Sequence, residues 1–194
     1  ALARRAGADV IISDYLKDDL SQTKNALAAA CAQSDVVVTV GGVSVGDHDL
    51  IRPAALSLGG RYLFEKVKMK PGKPVTALEV AGCLLLGLPG NPSSAQVTFS
   101  LFGLPLLAAL QGSRATAHNF RSFLLKKPLK QRGGRFTYYR GHAEAEEVEI
   151  LNNQSSGAST AIAWANAFVA IDSQVTELPA GAKVDVLLFD ELII

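Results

Sequence analysis

Through the first half of the chain, short runs of branched apolar residues alternate with longer segments of mixed polarity. This is the pattern of strands buried between helices. Residues 8–12 (ADVII) read as a first strand, after a helix tail over residues 1–6 that Gly7 stops in the left-handed conformation. Asp18, Asp19 and Ser21 offer N-caps to an Ala-rich helix running to about Gln33. Residues 35–40 (DVVVTV) form the clearest strand, and their unbroken β-branched character predicts cover on both faces. A glycine-rich loop follows, then a helix over residues 51–58 with Pro53 in its first turn and Gly59-Gly60 as its stop. Residues 61–69, 75–80 and 83–86 read as further strands. Asn91-Pro92 opens a long apolar helix reaching about Leu110, kinked near Pro105. This order predicts an α/β layered sheet.

The pattern changes after the small polar residues 111–117 (QGSRATA). Residues 123–127 and 135–142 flank a turn region with Pro128, Gly133 and Gly134; residues 147–151 alternate charged and apolar; 168–171 and 184–189 are late strands. The expected division is an α/β domain over residues 1–112 and a β-rich barrel or sandwich over 113–194. Nineteen Lys and Arg against eighteen Asp and Glu leave a formal charge of +1, which argues against a globally basic nucleic-acid or membrane-surface binder. Two cysteines, Cys31 and Cys83, are too few for a disulfide scaffold and read as buried reduced thiols. No leader pattern precedes the first strand, and the uninterrupted apolar runs (36–38, 83–86) fall far short of the ~20 residues a membrane helix needs. Trp164 is expected in the core, and Glu144, Glu146, Glu147 and Glu149 on a solvated strand face. His48, His118 and His142 lack zinc spacing, and Ser44 lies in no G-x-S-x-G elbow.

Three segments carry candidate chemistry. The first, GGVSVGDHD (41–49), follows a strand directly. Glycines there let a backbone approach an anion, and Asp47 and Asp49 add hard oxygen ligands suited to Mg²⁺ held with phosphates. The same spacing also suits a tight strand-to-helix turn capped by an aspartate. The second, KVKMKPGKP (66–74), puts Lys66, Lys68 and Lys70 on one face if it is a strand, with Lys73 after the Pro-Gly turn. Such a face is self-repulsive without an anion, unless it is a solvated edge. The third, GLPGNPSS (87–94), has Asn91 as cap, Pro92 at the first helical position and the N–H groups of Ser93 and Ser94 in the first turn. That suits either an anion or a well-capped buried helix. Residues 9–49 carry seven acids and two bases, whereas residues 61–73 carry five bases and one acid. Acids for a metal beside bases for phosphates favour a phosphorylated ligand.

GGVSVGDHD (41–49), KMKPGKP (68–74) and GLPGNPSSA (87–95), in this order and spacing, resemble the MoeA family. These are the molybdopterin molybdenumtransferases that include the E domain of gephyrin. Residues 154–170 and 175–189 resemble the family's C-terminal β domain. The resemblance implies an incomplete three-layer α/β molybdopterin-binding domain of MogA type followed by a small β-barrel-like domain. It implies molybdenum cofactor biosynthesis in the cytoplasm: Mg²⁺-assisted insertion of molybdate into adenylylated molybdopterin, with release of AMP, by a homodimer that can work with a MogA-type adenylyltransferase partner. Carried over by motif, Asp18, Asp49, Lys66 and Lys70 would be catalytic, with Asp18 and Asp49 organising the metal. Gly41, Gly42, Ser44, Gly46, Lys73, Pro89, Gly90, Asn91, Pro92, Ser93 and Ser156 would bind substrate.

The family's central domain opens with a strand and a Gly-Asp-Glu-Leu-type loop, and neither precedes Ala1. The family's two N-terminal domains are also absent. The expectation is therefore a C-terminal portion inactive as an isolated piece. Two other classes compete: a non-catalytic, gephyrin-like partner-binding scaffold, and a MogA-like adenylyltransferase. The GGVSVGD loop and the β domain argue against the second.

Overall fold

The computed structural model describes residues 1–11, 15–43, 49–114, 118–154 and 163–192. The chain forms two compact units. One comprises Ala1–Val67 and Gly72–Phe99; the other comprises Lys68–Pro71 and Ser100–Ile194.

The first unit begins with α1 (Leu2–Arg5), stopped at Gly7 with φ of 77°. Residues 8–11 form no strand, contrary to the sequence reading, and residue 12 lies outside the described residues. Helix α2 (Leu20–Cys31) starts on Asp19, whose carboxylate accepts from the Gln22 N–H at 2.7 Å. Strand β1 (Val36–Val40), α3 (Ile51–Ser57), β2 (Arg61–Glu65), β4 (Thr76–Val80) and β5 (Cys83–Leu88) follow; the two-residue strand β3 (Met69–Lys70) belongs to the other unit. The sheet order is β1-β5-β4-β2, with β1 parallel to β5 and the rest antiparallel. Leu78, Val80 and Leu85 pack on Leu27 of α2 and on Ile51, Ala54 and Ala55 of α3. Leu86 and Leu88 alternate to the opposite face and are also buried, so the sheet is covered on both sides: a three-layer α/β unit, as expected.

Three readings are corrected here. Strand β1 is an edge among the described residues, paired only with β5, and Val38 and Val40 are 39% and 63% exposed. A β-branched run reports strand propensity; cover depends on neighbours. Residues 61–69 are not one strand: β2 ends at Glu65, and Lys66 turns out at φ of 56°. The third concerns membrane-length segments. Residues Pro92–Leu110 form a helix of 19 residues with mean hydropathy 1.4, which is long and apolar enough to cross a membrane by length and composition alone. Half of it is buried, and the core helix of a globular protein passes the same test. It runs as α4 (Pro92–Thr98), a π-helical turn (Phe99–Gly103) and α5 (Leu104–Leu110). Pro105 lacks the N–H and crowds the carbonyl four residues back, which accounts for the widened turn just before it.

In the second unit, β6 (Arg121–Leu125), β8 (Phe136–Glu144), β9 (Glu147–Ile150), β10 (Ala167–Ile171) and β12 (Lys183–Leu188) are joined in the order β10-β12-β6-β9-β8. Pairing of β8 with β10 closes the ring into a five-stranded barrel. Strand β3 adds to β8, and β7 (Leu129–Lys130) pairs with β11 (Glu177–Leu178). Alternate residues fill the interior: Phe123, Leu125, Val148, Val169, Val184 and Val186 are buried there. Trp164 is 75% exposed, contrary to the expected core position. Glu144 and Glu147 face Lys126 and Glu149 bonds Lys127, on the solvated side as read.

Candidate functional site

The site is built at the carboxyl ends of the parallel strands β1 and β5. Gly41 follows β1 and donates its N–H to Leu88 O at 3.0 Å, which extends the β1–β5 ladder by one step. The loop after β5 returns against it. A Cβ on Gly90 would lie 3.3 Å from the Cα of Gly41, so the two backbones touch where neither carries a side chain. Gly87 sits behind them. A Cβ there would lie 2.6 Å from Val43 Cγ1 and 2.8 Å from Thr76 Cγ2, so this glycine makes room for the buried Val43 that ends the described part of the loop. The first and third sequence segments therefore meet.

The lysine turn comes to the same end of the sheet. Strand β4 runs antiparallel to β5, with Thr76 opposite Gly87. Just before Thr76, Val75 O accepts from the Lys66 N–H at 3.2 Å, and the Thr76 hydroxyl bonds Phe64 O. Lys66 and Lys73 are exposed there. Lys68 and Lys70 lie in the other unit, before and on β3, so the three lysines do not share one strand face. The backbone turn at Lys66 is what separates them.

Asp49 is the described acid of the glycine-rich loop. Its Oδ1 accepts from the Arg52 N–H at 3.4 Å, and its Oδ2 lies 3.0 Å from Arg52 Nε, off the N–H axis, as an ionic contact. Burial pushes the Asp49 carboxyl above its usual range, against the Arg52 guanidinium and the Arg52 N–H, which pull it down; Glu65 adds to the rise and Lys66 opposes it. Asp49 thus feels Lys66 and Glu65 across the loops. Tyr62 on β2 belongs to the same neighbourhood: burial raises its phenol, and Glu65, Arg52 and Asp49 all act on it. Neither Arg52 nor Tyr62 stood out in the sequence. The one signal that could have found Arg52 is its place three residues past Asp49, one helical turn on.

Asp18 precedes the α2 cap. Cys31, the last residue of α2, hydrogen-bonds Cys83, the first residue of β5, and burial beside that thiol pushes Cys31 up to about 12. The C-terminus of α2 is thereby fixed at the amino ends of the strands. Asp18 itself is exposed, one residue before the Asp19 cap of α2. In α4, Asn91 Oδ1 accepts from Ser93 N at 3.2 Å and Ser94 N at 3.4 Å, so those two N–H groups already have a partner. Pro89 is buried, while Gly90 and Pro92 are exposed. Ser44, Gly46, Asp47, His48 and Ser156 lie outside the described residues. Among the described residues no three His, Cys, Asp or Glu side chains gather as a metal cluster.

The comparisons with known proteins bear on the family and the fold. A family model described as a probable molybdopterin binding domain matches residues 1–109, and one described as the MoeA C-terminal region (domain IV) matches residues 123–189. The chain belongs to the MoeA family. This MoeA chain is 33% identical over 199 residues to a molybdopterin molybdenumtransferase of Haemophilus influenzae, covering 99% of the chain and 49% of that protein. It is 31% identical to the protein of that name from Bacillus subtilis, covering 98% and 45%. A solved structure of the molybdopterin biosynthesis MoeA protein from Pyrococcus horikosii superposes with a TM-score of 0.74 at 29% identity, covering 89% of this chain and 41% of that one. The MoeA chain spans about half the length of the curated relatives it matches.

Proposed function

We propose that this chain is the molybdopterin-binding and C-terminal portion of a molybdopterin molybdenumtransferase, an enzyme of molybdenum cofactor biosynthesis. The observation that carries the reading is the meeting of loops 41–43 and 87–91, with Asp49 and Lys66, at the carboxyl ends of two parallel strands. There an open α/β sheet takes its ligands. In this reading residues 1–112 bind the pterin nucleotide and residues 113–194 form the C-terminal β portion. The substrates are adenylylated molybdopterin and molybdate, and AMP is released. No side-chain nucleophile is needed, because the dithiolene sulfurs of the pterin themselves take the molybdenum.

The residues divide by charge. The backbone at Gly41, Gly42 and Gly90 lets an anionic group come close, and Ser44, Gly46, Pro89, Asn91, Pro92 and Ser93 belong to the same substrate-binding set. Lys66, Lys70 and Lys73 supply positive charge to phosphate or molybdate, both of which need cationic or N–H surroundings. Ser156 joins the substrate-binding set. Mg²⁺ takes one or two carboxylates and completes its shell with phosphates and water, so Asp18 and Asp49 suffice as protein ligands once a nucleotide is bound. Held by Asp18 and Asp49, Mg²⁺ would supply charge neutralisation at the pyrophosphate. The remaining proposals are a cytoplasmic homodimer and supply of the adenylylated substrate by a MogA-type partner.

Calorimetry with AMP and Mg²⁺ tests the reading. The chain is expected to bind AMP, and Lys66→Ala or Lys70→Ala to weaken binding more than Lys126→Ala, whose ammonium faces Glu144 and Glu147 instead. Equal losses at all three positions, or no binding at all, would contradict it. A non-catalytic scaffold predicts the second outcome.

A further inference from the structure

Helix α3 begins at Ile51 without a side-chain cap from Leu50, the residue before it. What anchors its start is Arg52. The guanidinium Nη2 donates to Val43 O at 2.5 Å, and Nε lies 3.0 Å from Asp49 Oδ2. The Arg52 and Asp49 side chains are only 11% and 12% exposed. These two partners are the residues on either side of segment 44–48. Val43 is itself wedged into the space that Gly87 leaves.

We infer that Arg52 is a positioning residue whose guanidinium joins Val43 O to the Asp49 carboxylate, and so holds both ends of the loop on which the proposed nucleotide site is built. The inference rests on the reading of the preceding section. The extended guanidinium hydrogen-bonds Val43 O through Nη2 while its Nε edge lies in ionic contact with the Asp49 carboxylate, whereas a lysine ammonium concentrates its charge and donors at one compact atom. The pair is largely withdrawn from water, so removing one partner leaves the other charge buried and uncompensated. Arg52 acts through Asp49: it fixes where the carboxylate points.

A double-mutant cycle on the whole chain, read by AMP calorimetry with Mg²⁺ and by hydrogen exchange, tests this. Arg52→Met should weaken AMP binding about tenfold or more, Asp49→Asn should do so comparably, and the double variant should bind no worse than the weaker single one. Arg52→Lys should recover part of the loss. Amide exchange at residues 41–43 and 49–52 should rise in Arg52→Met and be partly protected again in Arg52→Lys. Additive losses in the cycle, or unchanged exchange at these residues, would overturn the inference. If the unsubstituted chain does not bind AMP, the functional reading fails, and the exchange pattern still decides whether Arg52 holds the loop. If Arg52→Met does not fold, Arg52→Lys carries the same test, with intermediate exchange expected and full protection contradicting it.

Discussion

In the β unit five strands close on themselves, so each barrel strand has neighbours on both sides. In the α/β unit the four strands among the described residues remain open, with β1 and β2 at the edges and Val38 and Val40 partly in solvent. Both units hold a glycine under the same pressure. A Cβ on Gly141 of β8 would lie 2.8 Å from Val169 Cγ2 and 3.0 Å from Val148 Cγ2, and one on Gly87 of β5 would meet Val43 and Thr76 as closely. The surroundings differ. Gly141 admits the packing of a closed interior, and Gly87 admits a loop. The contrast teaches that equal steric constraint serves the interior of a closed barrel in one unit and the seating of the loop at Val43 in the other.

The largest effect that separates the units is expected at Phe168. This residue is fully buried on β10, with its ring 4.6 Å from that of Phe189. Phe168→Ala should cost about 3–5 kcal/mol in chemical denaturation followed by exchange at the barrel amides. A cost below about 1 kcal/mol would show that the barrel does not depend on this packing. Next come the paired glycines. Gly87→Ala and Gly141→Ala should each cost about 1–3 kcal/mol by overpacking, but only Gly87→Ala should also weaken AMP binding, because it displaces Val43. Equal losses of AMP binding from both would erase the distinction. Asn91→Ala removes the acceptor of two first-turn N–H groups and should cost about 1 kcal/mol in thermal denaturation.

The smallest effect concerns pH. Burial holds the His118 imidazole below its usual pKa, although its Nε2 hydrogen-bonds Ser100 O at 2.6 Å, which pulls the other way. A depressed histidine contributes stability above its unfolded pKa of about 6.5, and that contribution is lost as pH falls through the lower folded value. Urea midpoints of the β unit should therefore fall on acidification below pH 6.5, and less so in His118→Gln. Identical slopes in the two proteins would exclude this role.

The layered α/β half and the β half were legible because period and composition change with the type of element. The β-branched run of β1 and the alternation in β6 and β12 are local signals. What escaped the sequence depends on pairing. The lysine face predicted from alternation was lost at a single backbone turn, the positive φ of Lys66. The exposure of β1 follows from its having one neighbour among the described residues. Trp164 was assigned to the core by residue type, yet its side chain stands in solvent. At the site, glycine spacing marked loops 41–43 and 87–90, but their contact follows from the parallel register of β1 and β5, which no local pattern reports. Arg52 escaped because an arginine near a helix start carries no motif. Its meaning lies in the two partners it joins, Val43 O by a hydrogen bond and the Asp49 carboxylate by an ionic contact.

The central claim is that distant loops of the α/β unit form one site for a nucleotide-bearing anion. The most direct measurement is an amide ¹H–¹⁵N titration of the chain with AMP and Mg²⁺. The account predicts saturable shifts at Gly41, Gly42, Val43, Lys66, Gly90 and Asn91 together, with one shared affinity. Binding that leaves these amides unmoved, or moves loops 41–43 and 90–91 at unrelated affinities, would contradict it.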